Sequence, residues 1–225
     1  MAKTGIGLLE LLALVAIVLP LIPVFIIFIS KSYKQDVLAL LMGLCLVSFI
    51  QNLILFIPGV VPLDTLFIKA CFQLIHYIII LLLLRMVITG NWLREGMKIL
   101  LIGFVSIVVT IYCLKGISFY DGNIAIVQSL LLIMLSLLAL FQLIKTQDVF
   151  IFLSPKFWIV GGTFFYYCMF LLTQSIPEYN VSLSGTPNQQ KKVLLMIIIL
   201  IQFIFYIIAA TVASHKNEEQ STIDY

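Results

Sequence analysis

The sequence predicts an all-α, polytopic membrane helix bundle with seven transmembrane helices, and three observations support this prediction. Of the 225 residues, 63% are hydrophobic and only 10% are charged, whereas soluble domains carry about 25% charged residues. The mean hydropathy is +1.20. The apolar residues also fall into long runs, and about 20 such residues are needed for a helix to cross a ~30 Å hydrocarbon core. No ordinary soluble core uses this composition, so we expect a multi-pass membrane protein.

Seven apolar segments take up most of the chain. Barrel strands would alternate apolar and polar residues over about ten positions, whereas these segments are apolar on every side, and helices satisfy their own backbone hydrogen bonds in lipid. The first segment is longer than the apolar region of a signal peptide, so we expect it to be retained. The predicted spans are residues 6–29, 37–57, 66–88, 97–114, 124–144, 157–176 and 193–213, which form one domain, 1–214, followed by a short cytoplasmic tail, 215–225.

The distribution of cations predicts the orientation. Seven spans put the two termini on opposite sides of the membrane. One side holds Lys31, Lys34, Arg85, Arg94, Lys98, Lys145, Lys156 and Lys216, and the other side holds Lys3, Lys69, Lys115, Lys191 and Lys192. Because cytoplasmic loops carry the excess of Lys and Arg, we expect the N-terminus outside and the C-terminus in the cytoplasm.

The third span, LFIKACFQLIHYIIILLLLR (66–85), carries three polar residues in its first half: Lys69, Gln73 and His76. Offsets of four and seven residues place them on one helix face. Ionisable groups within a span usually face the bundle interior or a water-filled cavity. At 1.5 Å per residue, Lys69 lies about one turn below the outer surface and His76 lies near the midplane, where an imidazole can titrate or bind a ligand.

Other spans place polar side chains at the same depths as this stripe. The inner halves are bare apolar runs such as 78–84, so the sequence predicts a polar cavity that opens outward and is closed below by apolar packing. The predicted cavity or ligand residues are Glu10, Gln51, Asn52, Lys69, Gln73, His76, Tyr166 and Gln202. The alternative interpretation is structural, because amides in membrane helices often only hydrogen-bond helix to helix, and Glu10 with Lys69 is the natural ion pair.

Common sequence signatures of intramembrane enzymes do not occur in this sequence. There is no GxSxG or HExxH motif and no aspartate inside a span. The four cysteines lie in spans without metal-ligand spacing, and one midplane histidine is too few for a metal site. The last span has Gln202 and no lysine at the depth that a retinal Schiff base requires. We therefore expect no catalytic residues, no metal and no cofactor.

The segment SPKFWIVGGTFFYYCMFLL (154–172) resembles a Pro-x-Phe-Trp, Gly, Tyr-aromatic segment found in a family of small bacterial membrane proteins. They are uncharacterised seven-helix proteins, often encoded beside sensor histidine kinases. The matching positions are Pro155, Phe157, Trp158, Gly161 and Tyr166. The resemblance implies a location in the bacterial inner (plasma) membrane and a sensory role. That family often has an acidic residue in the third span, where this chain has none, so the resemblance supplies no site residues.

These observations predict a non-enzymatic sensory or accessory signalling subunit with an outward-facing polar cavity. The lipid bilayer is one expected partner, and a membrane or cytoplasmic signalling protein is the other; no nucleic-acid partner is expected. Two alternatives remain open at this point. The same polar groups suit a small-solute or proton-coupled carrier, and the short loops also suit a structural subunit of a membrane complex.

The predicted ion pair between Glu10 and Lys69 can be tested by a double-mutant cycle. Removing one partner of a buried pair leaves an uncompensated charge. Lys69→Ala should therefore lower the melting temperature of the purified protein more than Lys69→Ala combined with Glu10→Ala. Additive losses would show that the two side chains do not interact.

Overall fold

In the computed structural model, residues 7–56, 65–115, 122–146, 150–175 and 187–223 are described. This part of the chain is all-helical, with turns and short 3₁₀ segments between the helices. The helices are α1 (Leu8–Val18), α2 (Leu21–Ile29), α3 (Asp36–Phe56), α4 (Thr65–Val87), α5 (Asn91–Lys115), α6 (Gly122–Thr146), α7 (Pro155–Ser175) and α8 (Pro187–Ile223). The all-α prediction is confirmed.

Seven helical segments in the described chain are long and apolar enough to cross a membrane, with α1 and α2 together forming the first. The prediction of a multi-pass membrane protein is confirmed in the number, length and apolar composition of its helices. The side of the membrane on which each terminus lies stays a prediction. We therefore name the two ends of the bundle by residues, as the Lys69 end and the Arg94 end.

Six of the seven spans form a closed ring, and α5 lies outside it. Following the contacts around the ring, α1 and α2 pack against α3, α3 against α4, α4 against α6, α6 against α7, α7 against α8, and α8 against α1 and α2. The fourth span, α5, packs on α4, where the rings of Tyr77 and Phe104 lie 4.5 Å apart. The ring encloses the apolar core, which includes Leu41, Leu81 and Ile159.

The first span is broken where its prolines predict a break. Helix α1 ends at Val18 and α2 begins at Leu21, with Pro20 at the start of α2. Proline has no backbone N–H, so it removes one helical hydrogen bond. The chain instead makes a tighter turn, in which the backbone N–H of Ile22 donates to the carbonyl oxygen of Leu19 at 3.1 Å.

Two helices extend beyond their predicted spans. Helix α5 begins at Asn91 rather than at 97, and α8 runs from Pro187 to Ile223 rather than from 193 to 213. Most of the predicted tail is therefore helical. A hydropathy pattern marks only the part of a helix that lies in hydrocarbon, whereas Lys, Glu and Gln favour helix in water as well. The predicted span ends at 6, 57 and 176 lie outside the described residues.

Helices α7 and α8 pack closely because Gly162 has no side chain. A Cβ atom at Gly162 would lie 2.7 Å from the Cβ of Phe205, a distance that real Cβ atoms essentially never show. At the neighbouring Gly161, the nearest atom to such a Cβ would be a ring carbon of Phe205 at 3.7 Å, which is ordinary contact. Small residues at membrane helix interfaces let the backbones approach in this way.

We expect Gly162→Ala to destabilise the protein relative to Gly161→Ala. Both substitutions gain the same helix propensity, about 1 kcal/mol, but only the first overpacks the α7–α8 contact, which costs about 1–3 kcal/mol. Thermal unfolding of the two variants in the same detergent measures the difference. Equal melting temperatures would mean that the contact at Gly162 is not tight.

Candidate functional site

A cavity of about 360 Å³ lies inside the bundle near the Lys69 end, lined by α3, α4, α6, α7 and α8. Small-molecule sites commonly have volumes of about 300–1,000 Å³. Apolar side chains such as Leu44, Ile80 and Phe170 form part of the wall. The polar side chains that line it, apart from Tyr167 and Tyr206, are Ser48, Gln51, Asn52, Lys69, Gln73, His76, Gln128, Ser129, Tyr166 and Gln202.

The structure brings together all of the predicted cavity residues except Glu10. That residue belongs to α1, but its side chain lies outside the described part of the chain, so its ion pair with Lys69 stays a prediction. The lysine itself is exposed at the cavity. The structure therefore establishes that these side chains line one cavity. Their role in binding a ligand remains a prediction.

Both ring nitrogens of His76 have hydrogen-bond partners. Nδ1 lies 2.9 Å from the carbonyl oxygen of Phe72, and because a carbonyl only accepts, Nδ1 carries a proton. Nε2 lies 2.9 Å from Oγ of Ser48 on α3, and that same hydroxyl lies 2.9 Å from the carbonyl oxygen of Leu44. The imidazole therefore ties α4 to α3, and a ligand can bind its Nε2 only by displacing Ser48.

Amide side chains join helices across the cavity wall. Nε2 of Gln73 on α4 donates to Oε1 of Gln128 on α6 at 2.9 Å. Gln128 is almost fully buried, so an unpaired amide at this position would be costly. The structural interpretation of the amides therefore accounts for this pair.

Asn52 pairs with the carbonyl group that Pro20 leaves without a donor. In an uninterrupted helix the N–H of residue 20 would donate to the carbonyl oxygen of Ala16, four residues earlier. Pro20 has no N–H, and Nδ2 of Asn52 on α3 donates to that oxygen instead, at 3.1 Å. In lipid a carbonyl left by proline must be re-paired by a neighbouring helix or by water. Asn52 thus lines the cavity and also holds the broken first span against α3.

A chain of hydrogen bonds forms the floor of the cavity between α7 and α8. Nε2 of Gln202 donates to the hydroxyl oxygen of Tyr206 at 2.8 Å. That hydroxyl lies 3.1 Å from Oγ1 of Thr163, and Thr163 donates to the carbonyl oxygen of Ile159 at 2.8 Å. Since Thr163 uses its single proton on Ile159, Tyr206 donates to Thr163. Each hydroxyl therefore donates once, and each accepts one hydrogen bond.

Three of the predicted residues have side chains that make no hydrogen bond to any other described residue: Gln51, Lys69 and Tyr166. Their amide, ammonium and phenol groups line the cavity and are available to bind a ligand. The remaining predicted residues, as described above, are used at least partly to hold helices together. A ligand in this cavity would first meet the three available groups.

Sequence reasoning missed several residues that build the site. Ser48, Ser129, Thr163 and Tyr206 are absent from the predicted set, although they line the cavity or complete its hydrogen bonds. Serine and threonine give a weak signal in a membrane helix, because they can bond their own helix backbone, as Ser129 does with Ala125. A usable signal was spacing, since Ser48 lies three residues from Gln51 on the same helix.

A second cavity, of about 820 Å³, lies at the Arg94 end. Helices α3, α4, α7 and α8 contribute to both cavities. Between the two cavities these helices carry fully buried apolar side chains, which include Leu41 on α3, Leu84 on α4 and Ala210 on α8. We call these buried apolar side chains the dry layer. It lies between the polar cavity at the Lys69 end and the second cavity at the Arg94 end.

Within the described residues, no three His, Cys, Asp or Glu side chains come together in a way that could hold a metal ion. The comparisons with known proteins add no further chemistry. No protein-family model, no curated protein and no solved structure shows a significant match to this chain.

We expect Asn52→Leu to destabilise the protein by about 1 kcal/mol, in line with single hydrogen bonds in membrane proteins, because the carbonyl of Ala16 loses its donor. Gln51→Leu is the matched control, since that amide has no described partner. A Pro20→Ala background restores a backbone N–H at residue 20, and Asn52→Leu should cost less there. Thermal unfolding of these variants measures the coupling. An equal cost in both backgrounds would show that Asn52 does not compensate for Pro20.

Proposed function

We propose that this protein is a non-enzymatic sensory or accessory signalling subunit of the bacterial inner membrane, and that the cavity at the Lys69 end binds its small ligand. The observation that carries the proposal is a cavity of about 360 Å³ lined by Gln51, Lys69 and Tyr166, whose side chains make no hydrogen bond to any other described residue. A buried site with few, well-placed polar groups in an apolar wall is the usual form of a small-molecule site.

The available groups indicate which part of a ligand they would bind. Lys69 offers a positive charge at the cavity, and Gln51 and Tyr166 offer hydrogen bonds. The described residues that line the cavity include no carboxylate, and the side chain of Glu10, the predicted partner of Lys69, lies outside the described part of the chain. A small molecule with an anionic or strongly accepting group at one end and an apolar remainder suits this lining best, because Leu44, Ile80 and Phe170 would cover the remainder.

A ligand signal would travel along α7 and α8. Tyr166 and Gln202 line the cavity on these two helices, and Gln202 is joined to α7 through Tyr206 and Thr163. Because the side chain of Phe205 on α8 packs directly on Gly162 of α7, a displacement of one helix moves the other. Both helices continue to the Arg94 end, where Lys156 and Lys216 lie and where the predicted orientation places a cytoplasmic partner.

A small-solute carrier is the second candidate, and the second cavity favours it. Four helices line both cavities, and a layer that contains buried apolar side chains such as Leu41 and Leu84 lies between them. Alternating access requires water to reach such a layer from one side in one state of the cycle. A sensor keeps the layer closed in every state.

Thiol labelling distinguishes the two functions. In the full chain with its four cysteines replaced by serine, single cysteines are placed in the cavity (Gln51→Cys) and in the dry layer (Leu41→Cys). In proteoliposomes, we expect a membrane-impermeant maleimide to label Gln51→Cys and never Leu41→Cys. Labelling is measured as an increase in the mass of the protein. Detergent-denatured protein must label at both positions as a control. Labelling of the native Leu41→Cys variant would overturn the sensor and support the carrier.

A second measurement tests signalling directly, with Lys156→Cys as a reporter at the Arg94 end. Gln51→Trp fills the cavity, whereas Leu53→Trp adds the same side chain at an exposed position on the same helix. The labelling rate of the reporter should change at least about twofold with the first substitution and stay constant with the second. No change with Gln51→Trp would contradict a signalling role.

A further inference from the structure

The cavity at the Arg94 end is lined by cations from three different helices. Arg94 lies at the start of α5, Lys156 at the start of α7 and Lys216 near the end of α8, while Asp36 is the one described carboxylate in the lining. The described lining therefore has a formal charge of +2, obtained from three cations and one anion. This charge is independent of the ligand site proposed above, which lies beyond the dry layer.

The three cations have no anionic partner among the described residues. The one ion pair found there joins Lys98 and Glu95, outside this lining. Asp36 lies in the first turn of α3, where the helix dipole already favours its negative charge, and no described cation comes within ion-pair distance of it. An anion entering the cavity would therefore meet charges that no described residue compensates.

Arg94 is oriented for such an anion. Its Nε donates to the carbonyl oxygen of Arg85 at 3.3 Å, which fixes the guanidinium against the end of α4. The terminal nitrogens have no described partner. A planar guanidinium suits the paired oxygens of a phosphate group. Helix α7 begins at Pro155, and Pro155 and Lys156 both line the cavity, so the positive end of the α7 helix dipole lies on the same side.

Apolar side chains occupy the same lining as the cations. Phe150 and Leu153 line the cavity with 67% and 64% of their surfaces exposed. Nε1 of Trp158 donates to the carbonyl oxygen of Phe152 at 2.7 Å and so holds this segment on α7. A free anion gains nothing from exposed phenyl and isobutyl groups, whereas a phospholipid presents a phosphate and an apolar chain together.

We propose that the cavity at the Arg94 end binds the phosphate group of an anionic phospholipid, with Arg94, Lys156 and Lys216 around the phosphate and Phe150 and Leu153 against the adjoining acyl chain. Basic pockets between membrane helices on the cytoplasmic side bind such headgroups, because anionic lipids are enriched there. The proposal stands or falls separately from the ligand site at the Lys69 end.

The test uses the purified full chain in detergent, titrated with mixed micelles of phosphatidylglycerol or of phosphatidylcholine. Bound lipid is counted by native mass spectrometry. We expect tighter binding of phosphatidylglycerol, and Lys156→Gln with Lys216→Gln should weaken it about 25-fold, or about fivefold for each lysine. The matched control is Lys34→Gln with Lys145→Gln, which removes two exposed cations at the same end and outside the cavity lining. The affinity of this control variant for phosphatidylglycerol should stay within about twofold of that of the unmodified protein.

Each other outcome overturns the proposal. Equal binding of the two lipids, or equal losses in the two double variants, would mean that the cavity does not recognise an anionic headgroup. Inorganic phosphate that displaces phosphatidylglycerol at millimolar concentration would make free phosphate the ligand. If the lysine pair variant does not fold, Arg94→Lys replaces it, because it keeps the charge and loses the planar fork. Unchanged binding of phosphatidylglycerol by Arg94→Lys would then contradict the proposal.

Discussion

The close contact between α7 and α8 at Gly162 determines much of the polar interior of this bundle. Because the two backbones approach there, Tyr206 on α8 reaches Thr163 on α7, and Gln202 is held by the same tyrosine. This chain of hydrogen bonds forms the floor of the cavity. In hydrocarbon an unpaired amide or hydroxyl costs several kcal/mol, so the polar floor requires that contact.

The sequence predicted which polar side chains share a level along the bundle, but it did not predict their partners. A rise of 1.5 Å per residue predicted that Lys69, Gln73 and His76 lie level with polar groups of other spans, and the structure gathers these residues around one cavity. The pairing of Gln73 with Gln128 and of His76 with Ser48 depends on how far each helix is rotated about its axis. That rotation follows from packing, and nearly uniform apolar spans carry little periodicity from which to read it.

The second cavity shows a different limit of sequence reasoning. Arg94, Lys156 and Lys216 were counted as positive-inside charges, each assigned to a separate loop or tail. Their common location became visible only when the ring of helices closed and α8 extended beyond its apolar segment. Two consequences follow for the chemistry of the molecule. The polar groups that line its two cavities lie toward opposite ends of the bundle, and buried apolar side chains such as Leu41 and Leu84 lie between them.

The pairing of Asn52 with the carbonyl of Ala16 also bears on how the chain is assembled. Membrane proteins are inserted in order from the N-terminus, so the first span enters the bilayer before the second. Before α3 is inserted, the carbonyl oxygen of Ala16 lacks the donor that Asn52 later supplies. Because an unpaired carbonyl is costly in hydrocarbon, we expect the part of the first span around Ala16 and Pro20 to remain in contact with water until then. The second span supplies the missing donor, so the first two spans are expected to settle in the membrane as a pair.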